Sequence, residues 1–291
     1  MSHTACVFPS CTARAMDAGA SDGPFCDRCS RPLGGASIGL TGAYRVVGFL
    51  GTGYYADVFL VVEGTTGTSY AAKAYQRGLQ KRNAAAREVE ALQRLSHLRL
   101  PVFKETFDVG NWLFTVMGLV AGPNVRDEVA VHGPLDVRQA VVLGIDVCEV
   151  FAYIASEGWT YRDLHPKNVH RDTPRGAMLV DLDGARPPHS PARPSGRAGY
   201  RAPELERQGP VTPACDIFSL AGCLYFALTG EDPPEEPGPL TDLRAILAAY
   251  LPLADLMDQC RQDDPALRPR AHDMRLALER VRTGIRGPNG A

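Results

Sequence analysis

The apolar pattern of this chain changes abruptly near Gly122, and this change limits the folds that the chain can adopt. Before it, short apolar segments alternate with glycine-containing turns, as in strands, and one segment has helical spacing. After it, the periodicity is mostly helical. This order predicts an α+β fold of two lobes. The predicted strands are 44–50, 58–62, 70–75, 102–107, 112–116 and a short pair at 169–170 and 178–180, and the predicted helices are 83–96, 136–156, 214–228 and 271–281.

Length and charge narrow the classes of function. The 291 residues are enough for a two-lobed catalytic unit and a small additional module. With 31 basic and 33 acidic residues, the chain lacks the positive excess that binds nucleic acid through bulk charge. No apolar run reaches the roughly 18–20 residues of a membrane span, and residues 1–10 show no secretory pattern. We therefore expect a cytoplasmic protein with no membrane span and no nucleic-acid partner.

Four of the eight cysteines lie near the start of the chain, as the pairs Cys6 with Cys11 and Cys26 with Cys29. In a reducing compartment, clustered cysteines indicate a metal site before disulfides. Two close pairs separated by a loop can place four thiolates around one Zn²⁺, which leaves no open position for catalysis. The pattern predicts a structural zinc site, with a redox pair or incidental thiols as the alternatives. Buried structural thiols are predicted for Cys148, Cys215, Cys223 and Cys260.

A glycine-containing turn and a lysine suggest phosphate binding. Gly51 and Gly53 follow the first strand, where glycines allow backbone N–H groups to approach a triphosphate, and Val58 would cover an adenine ring. Taken alone, this turn is equally consistent with an ordinary hairpin. Lys73 ends the apolar strand that contains Ala71, a suitable position for contact with phosphates. Its counter-charge would come from the next helix, where Glu88 is the candidate and Glu90 points about 200° around the helix axis from it.

Acidic and amide side chains follow in two strings. The first is Tyr161-Arg162-Asp163-Leu164-His165-Pro166-Lys167-Asn168, and the second, after an apolar strand, is Asp181-Leu182-Asp183-Gly184. The first string resembles the catalytic loop of protein kinases, and the second stands where their metal-binding segment is expected. Phosphoryl transfer needs positioning and charge neutralisation, which carboxylates and amides with bound Mg²⁺ can supply.

Together with Ala202-Pro203-Glu204, these strings make residues 44–283 resemble a bacterial member of the eukaryotic-type serine/threonine protein kinase family. The resemblance implies an ATP- and Mg²⁺-dependent enzyme with protein substrates. It implies that Asp163 accepts the substrate hydroxyl proton and that Asn168 and Asp181 hold Mg²⁺. It also favours Glu88 as the partner of Lys73. The adenine would lie against the gatekeeper and hinge, which are Met117, Gly118, Leu119 and Val120.

The resemblance also implies structural roles and a domain plan. Glu204 would pair with Arg268, and Asp216 would anchor the backbone of the catalytic loop. The first cysteines are similar to small zinc modules fused to some actinobacterial kinases. The domain plan is a zinc module at 1–33, a Gly-rich linker at 34–43, a kinase domain at 44–283 with its lobes divided after residue 117, and a disordered tail at 284–291.

Besides Ala56 and Tyr161, which replace a glycine and a histidine, three residues depart from the family pattern. His165 stands where these kinases usually carry a lysine that neutralises the transferring phosphoryl group, and a protonated imidazole would partly substitute for it. Asp183 replaces a glycine. Arg197 replaces a threonine and would supply the missing positive charge, which makes it a candidate catalytic residue. The usual site of an activating phosphate is occupied by Arg193, so we do not expect activation by phosphorylation of Ser190 or Ser195.

Three functions therefore remain open. The first is a serine/threonine protein kinase, whose substrate would dock through the zinc module. The second is a kinase of a small-molecule hydroxyl, since the strings around Asp163 and Asp181 resemble those of aminoglycoside and choline kinases as well. The third is a nucleotide-binding scaffold without catalysis, which the departures at His165, Asp183 and Arg197 favour. The sequence does not determine the oligomeric state.

Overall fold

The computed structural model describes residues 6–9, 11, 25–26, 29–39, 42–172, 174–187, 190 and 197–285. The chain divides into two compact units, of which the first comprises Met1–Gln93 and Pro101–Leu119, and the second Arg94–Leu100 and Val120–Ala291. Arg193, Ser195 and most of the predicted tail lie outside the described residues. The α+β class predicted from the sequence, with a β-rich half followed by a helical half, is confirmed.

The first unit is an antiparallel six-stranded sheet in the order β1-β2-β3-β4-β6-β5, together with one long helix, α1. Its strands carry inward aromatic and β-branched side chains, which suit a pleated surface with one buried face. The rings of Tyr44, Phe107 and Phe114 stack with centroid separations of 5.9 and 5.6 Å. The elements are β1 Ser37–Ile38, β2 Tyr44–Thr52, β3 Asp57–Glu63, β4 Ser69–Gln76, α1 Leu79–Arg94, β5 Phe103–Val109 and β6 Trp112–Gly118.

The segment predicted as a linker, 34–43, is partly built into this sheet. Ser37 and Ile38 pair with the start of β2, and the Ile38 side chain is buried in the sheet core. An isolated isoleucine between glycines carries too weak a periodic signal to predict a two-residue strand. The segment from Cys6 to Arg31, which we call the cysteine segment, is therefore followed directly by packed structure.

The second unit is mainly helical, with one short antiparallel pair, β7 and β8. Asp136 caps α3 in a reciprocal arrangement with Gln139, and α5 ends at Gly230, whose φ of 79° suits a glycine at a helix C-terminus. The elements are α2 Val125–His132, α3 Val137–Ser156, β7 Val169–Asp172, β8 Gly176–Leu179, α4 Pro203–Glu206, α5 Ala214–Thr229, α6 Thr241–Ile246, α7 Leu251–Cys260 and α8 Ala271–Gly284.

Helix α3 forms the centre of the second unit, where it packs against α5, α8 and β8. Among the described residues, α3 is the one helix long and apolar enough to cross a membrane, by length and composition alone. Most of that stretch is buried inside the unit. Gly144 permits the close packing, because a Cβ there would come within 2.9 Å of Leu278. These contacts are typical of the core helix of a folded domain.

Candidate active site and cysteine cluster

The glycine-containing turn joins β2 to β3 as a tight hairpin. The Gly53 amide donates to the Ala56 carbonyl at 2.8 Å, and Gly51 lies opposite Val58. A Cβ added at Gly51 would meet no other atom within 4 Å, so the space beside this backbone is open. Tyr54 at the tip is 90% exposed. The hairpin thus leaves room for a ligand to approach the backbone, as a phosphate-binding loop must.

Lys73 and Glu88 form a buried ion pair, with 2.6 Å between Lys73 Nζ and Glu88 Oε1. Glu88 is fully buried, and its second carboxylate oxygen accepts a hydrogen bond from the Tyr75 hydroxyl. Glu90 is exposed, as its position on the helix predicts. Lys73 lies opposite Val58 on the neighbouring strand, so the strand register places its charge beside the glycine hairpin.

The predicted adenine-binding segment begins at the end of β6. Met117 is buried and pairs with Ala71 on β4, while the Gly118 amide donates to the Val102 carbonyl at 2.8 Å. A Cβ at Gly118 would come within 3.4 Å of the Val102 amide nitrogen, so the backbones approach closely there. Leu119 and Val120 follow and are half-buried.

In the second unit, Asp216 fixes the loop that carries Asp163. Its carboxylate accepts hydrogen bonds from the amides of Tyr161 at 2.8 Å and Arg162 at 2.7 Å. Arg162 has φ of 68°, a left-handed conformation that costs a non-glycine residue energy unless its surroundings hold it. Complete burial raises the pKa of Asp216 to about 6, although the two amide hydrogen bonds oppose this rise.

Asp163 and Asn168 lie on this loop, and Asp181 lies two residues beyond the end of β8. Asn168 Nδ2 donates to the Asp163 carbonyl at 2.9 Å, and the Val180 amide donates to the Asn168 carbonyl at 3.0 Å. A Cβ at Gly184 would come within 2.9 Å of the Asp163 Cβ, so the segment after Asp181 also packs closely on the loop. Two carboxylates and an amide oxygen are hard ligands that suit Mg²⁺.

His165 is buried and electrically neutral near pH 7. Burial first, and then the positive charge of Arg197, lower its pKa to about 4. Its Nδ1 accepts the Lys167 amide hydrogen at 3.3 Å, as a neutral imidazole can. The alternative in which a protonated His165 replaces the usual lysine is therefore not supported at neutral pH. Arg197 is exposed, and its electrostatic influence on His165 places its charge near the catalytic loop.

Glu204 and Arg268 form the ion pair that the family resemblance implies. Two hydrogen bonds, of 2.7 and 2.9 Å, join the guanidinium to the two carboxylate oxygens. The Arg268 side chain is fully buried, and it lies 5.0 Å from the ring centroid of Phe218. This bidentate pair ties α4, which contains Glu204, to the turn before α8.

The four sulfur atoms of Cys6, Cys11, Cys26 and Cys29 all lie within 4.8 Å of one another. Cys6 is 3.5 Å from Cys29, and Cys11 is 3.8 Å from Cys26. Four tetrahedral sulfur ligands at about 2.3 Å from Zn²⁺ would be about 3.8 Å apart. The donor set and its spacing therefore fit a structural zinc ion.

Two contributors to the site carried no recognised motif. Tyr75 lies two residues beyond Lys73 on the same strand, and this alternation would have indicated that both side chains face Glu88. Asp57 pairs with Arg31 at 2.7 Å, and no sequence signal joins residues from such different segments.

The first unit, with its buried lysine–glutamate pair, and the second, with Asp163, Asn168 and Asp181, have the features of a nucleotide-dependent phosphotransferase. The chain belongs to the protein kinase domain family, whose sequence model matches residues 44–276.

Relatives of this chain include both bacterial and animal proteins. It is 29% identical over 283 residues to a probable serine/threonine-protein kinase, PkwA, of Thermomonospora curvata, a match that covers 87% of this chain and 36% of that protein. It is 29% identical over 215 residues to the serine/threonine-protein kinase PkaA of Streptomyces coelicolor, covering 68% and 40%. It is 30% identical over 192 residues to a calcium/calmodulin-dependent protein kinase type 1 of Caenorhabditis briggsae, covering 63% and 54%. The chain spans about half or less of the length of these relatives.

Proposed function

We propose that this protein transfers the γ-phosphoryl group of Mg-ATP to serine or threonine hydroxyls of protein substrates. The observation that carries the proposal is the buried pair of Lys73 and Glu88, at 2.6 Å. Burying a lysine and a glutamate together is costly unless both are well paired. Such a pair holds the lysine charge in one place, which a phosphate-binding site requires.

In the first unit, the phosphates lie against the glycine hairpin at Gly51 and Gly53, and Lys73 contacts the α- and β-phosphates. Val58 and Ala71 pack on the adenine ring. The backbone from Met117 through Val120 binds the adenine edge. The open space at Gly51 supports the first of these assignments.

In the second unit, Asp163 orients the substrate hydroxyl and accepts its proton, because Asp216 and Asn168 hold the loop around it. Asn168 and Asp181 would hold Mg²⁺, which neutralises phosphate charge when it is bound. Arg197 supplies the positive charge near the transferring group that the neutral His165 cannot supply.

The cysteine cluster binds one structural Zn²⁺, and the module around it provides a docking surface for a protein substrate. The spacing of the four sulfur atoms supports the metal.

A cytoplasmic location agrees with the eight cysteines, all described, which form no disulfide. Relatives from Thermomonospora and Streptomyces support a bacterial origin.

The non-catalytic scaffold is the second candidate, because His165 is neutral where a permanent positive charge is usual. Its support is weakened by the retention of Lys73, Glu88, Asp163, Asn168 and Asp181. Phosphorylation of a small molecule is less well supported, since Glu204 and Arg268 match the part of the family that acts on proteins.

The acceptor can be tested by offering the purified protein [γ-³²P]ATP with degenerate serine and threonine peptides, and separately with a pool of hydroxyl-bearing metabolites. The proposal expects label in the peptides. Label confined to the metabolite pool would assign a small-molecule kinase. Binding of Mg-ATP with no labelled product in either pool would favour the scaffold.

A further inference from the structure

A buried carboxylate, that of Asp57, lies at the base of the glycine hairpin. Its residue is 6% exposed, and its two oxygens accept from different donors. Thr52 Oγ1 donates to Oδ1 at 2.9 Å, and Arg31 Nε donates to Oδ2 at 2.7 Å. A carboxylate in such surroundings is stable only while these partners remain, because burying an unpaired charge is costly.

Asp57 lies where a change in its position would change the geometry of the hairpin. It pairs with Thr52 across the two strands that flank the turn, and with Ala74 on β4. The next residue, Val58, lies opposite both Gly51 and Lys73. A shift of Asp57 would therefore move the hairpin and the wall beside the Lys73 charge together.

Arg31 does not belong to the kinase sequence. It lies two residues after Cys29, and its carbonyl accepts the Cys26 amide hydrogen at 2.7 Å. Its guanidinium lies 3.7 Å from the centroid of the Phe8 ring, a cation–π contact. Contacts with the cysteine segment therefore fix both the backbone and the side chain of Arg31.

Further contacts fix the cysteine segment on the sheet of the first unit. Phe8 meets Phe49 of β2 edge to face, with 5.1 Å between ring centroids. Trp112 Nε1 donates to the Ser30 carbonyl at 2.7 Å, and Phe25 packs against the buried core of the sheet. Arg31 thus extends from a segment that is fixed on the sheet, so its guanidinium can hold the Asp57 carboxylate in place.

We propose that Arg31 is a positioning residue for nucleotide binding, which holds Asp57 and thereby fixes the glycine hairpin in the geometry that accepts ATP. The cysteine segment is then a part of the nucleotide site. This inference rests on the proposed function, since it assumes that the hairpin binds ATP. It adds a determinant of ATP affinity from outside the residues that match the kinase family.

A double-mutant cycle on the full chain tests this link. Arg31→Met, Asp57→Asn and the double variant are compared with the unaltered protein by calorimetric titration with Mg-ATP. The control is Arg82→Met, which breaks an exposed ion pair of 2.9 Å with Asp108 in the same unit. Circular dichroism and zinc content check that each variant is folded, and the isosteric Asp57→Asn serves if Arg31→Met fails to fold.

Arg31→Met and Asp57→Asn should each raise the Kd for Mg-ATP about five- to tenfold, the size of a coupling of about 1–1.4 kcal/mol. The double variant should be no weaker than either single one, because both remove the same interaction. Arg82→Met should match the unaltered protein. Values for the Arg31 and Asp57 variants within twofold of the unaltered protein, or strictly additive losses, would overturn the inference while the kinase function stands. No binding of Mg-ATP by the unaltered protein would overturn both.

Discussion

Glu88 lies between Lys73 and Tyr75, with one carboxylate oxygen 2.6 Å from the lysine nitrogen and the other accepting the tyrosine hydroxyl hydrogen. Both oxygens of a fully buried carboxylate are thus satisfied by neighbours on one strand. This three-residue contact couples helix α1 to β4. It gives the lysine charge a fixed position.

Glu88→Gln should lower kcat/KM for ATP at least tenfold, because Lys73 loses its counter-charge and its fixed position. Steady-state kinetics at varied ATP measure the effect. Glu90→Gln is the matched control, since Glu90 is exposed on the same helix and should leave the kinetics unchanged. Equal kinetics for the two variants would contradict the assignment of Lys73 as the phosphate-binding lysine.

Arg268→Met should destabilise the protein by about 3–5 kcal/mol, because it leaves the Glu204 carboxylate buried without its partner. Urea denaturation followed by circular dichroism measures the loss. Arg207→Met, which breaks an exposed pair with Asp263, should leave the midpoint unchanged. A small loss for Arg268→Met would mean that the pair contributes little to the fold.

His165 predicts a dependence of stability on pH. Its folded-state pKa of about 4 lies below the ordinary value of 6.5, so the unfolded chain binds the proton more tightly. Above about pH 6.5, His165 is neutral in both the folded and the unfolded chain, so the free energy of unfolding is not reduced by its burial. As the pH falls towards 4, the unfolded chain takes up the proton first, and the free energy of unfolding decreases. The loss amounts to roughly 3 kcal/mol at most.

Comparison with His165→Gln isolates this effect, because Asp216 titrates in the same range in both proteins. The free energy of unfolding is measured by urea denaturation at a series of pH values. The unaltered protein should lose stability relative to the variant between pH 6.5 and 4. Parallel pH curves would show that His165 is not held neutral by burial.

Metal removal should disturb the cysteine segment. We expect one zinc ion per chain by mass spectrometry, absent in Cys26→Ser and retained in Cys148→Ala, whose thiol is buried elsewhere in α3. Since so small a segment depends on its metal for folding, chelation should expose it to protease. Protein that remains metal-free as purified, and equally protease-resistant, would exclude the structural zinc ion.

Much of the site could be predicted because its parts are local in sequence. Asp163 and Asn168 lie in one short string. The family pattern favours Glu88, and the helical phase places Glu90 on another face of the same helix. The helices α3 and α5 are long and apolar, so they could be predicted, whereas α2, α6 and the two-residue strand β1 are too short to carry a clear pattern.

The remainder depends on contacts between distant segments. Arg31 and Asp57 belong to no shared motif, and only the folded sheet brings them within 2.7 Å. Similarly, the neutral state of His165 follows from its burial and from the charge of Arg197, neither of which can be deduced from a string of residue types.

Transfer of phosphate is the central claim, and a comparison of the unaltered protein with Asp163→Asn tests it most directly. Both are incubated with [γ-³²P]ATP, Mg²⁺ and the peptide acceptors, and the initial rate of label transfer is measured alongside the Kd for Mg-ATP. The account predicts that Asp163→Asn binds Mg-ATP with nearly unchanged affinity and transfers label at least a hundredfold more slowly, the range expected for loss of a general base. Equal rates for the two proteins, or no transfer by the unaltered protein, would contradict it.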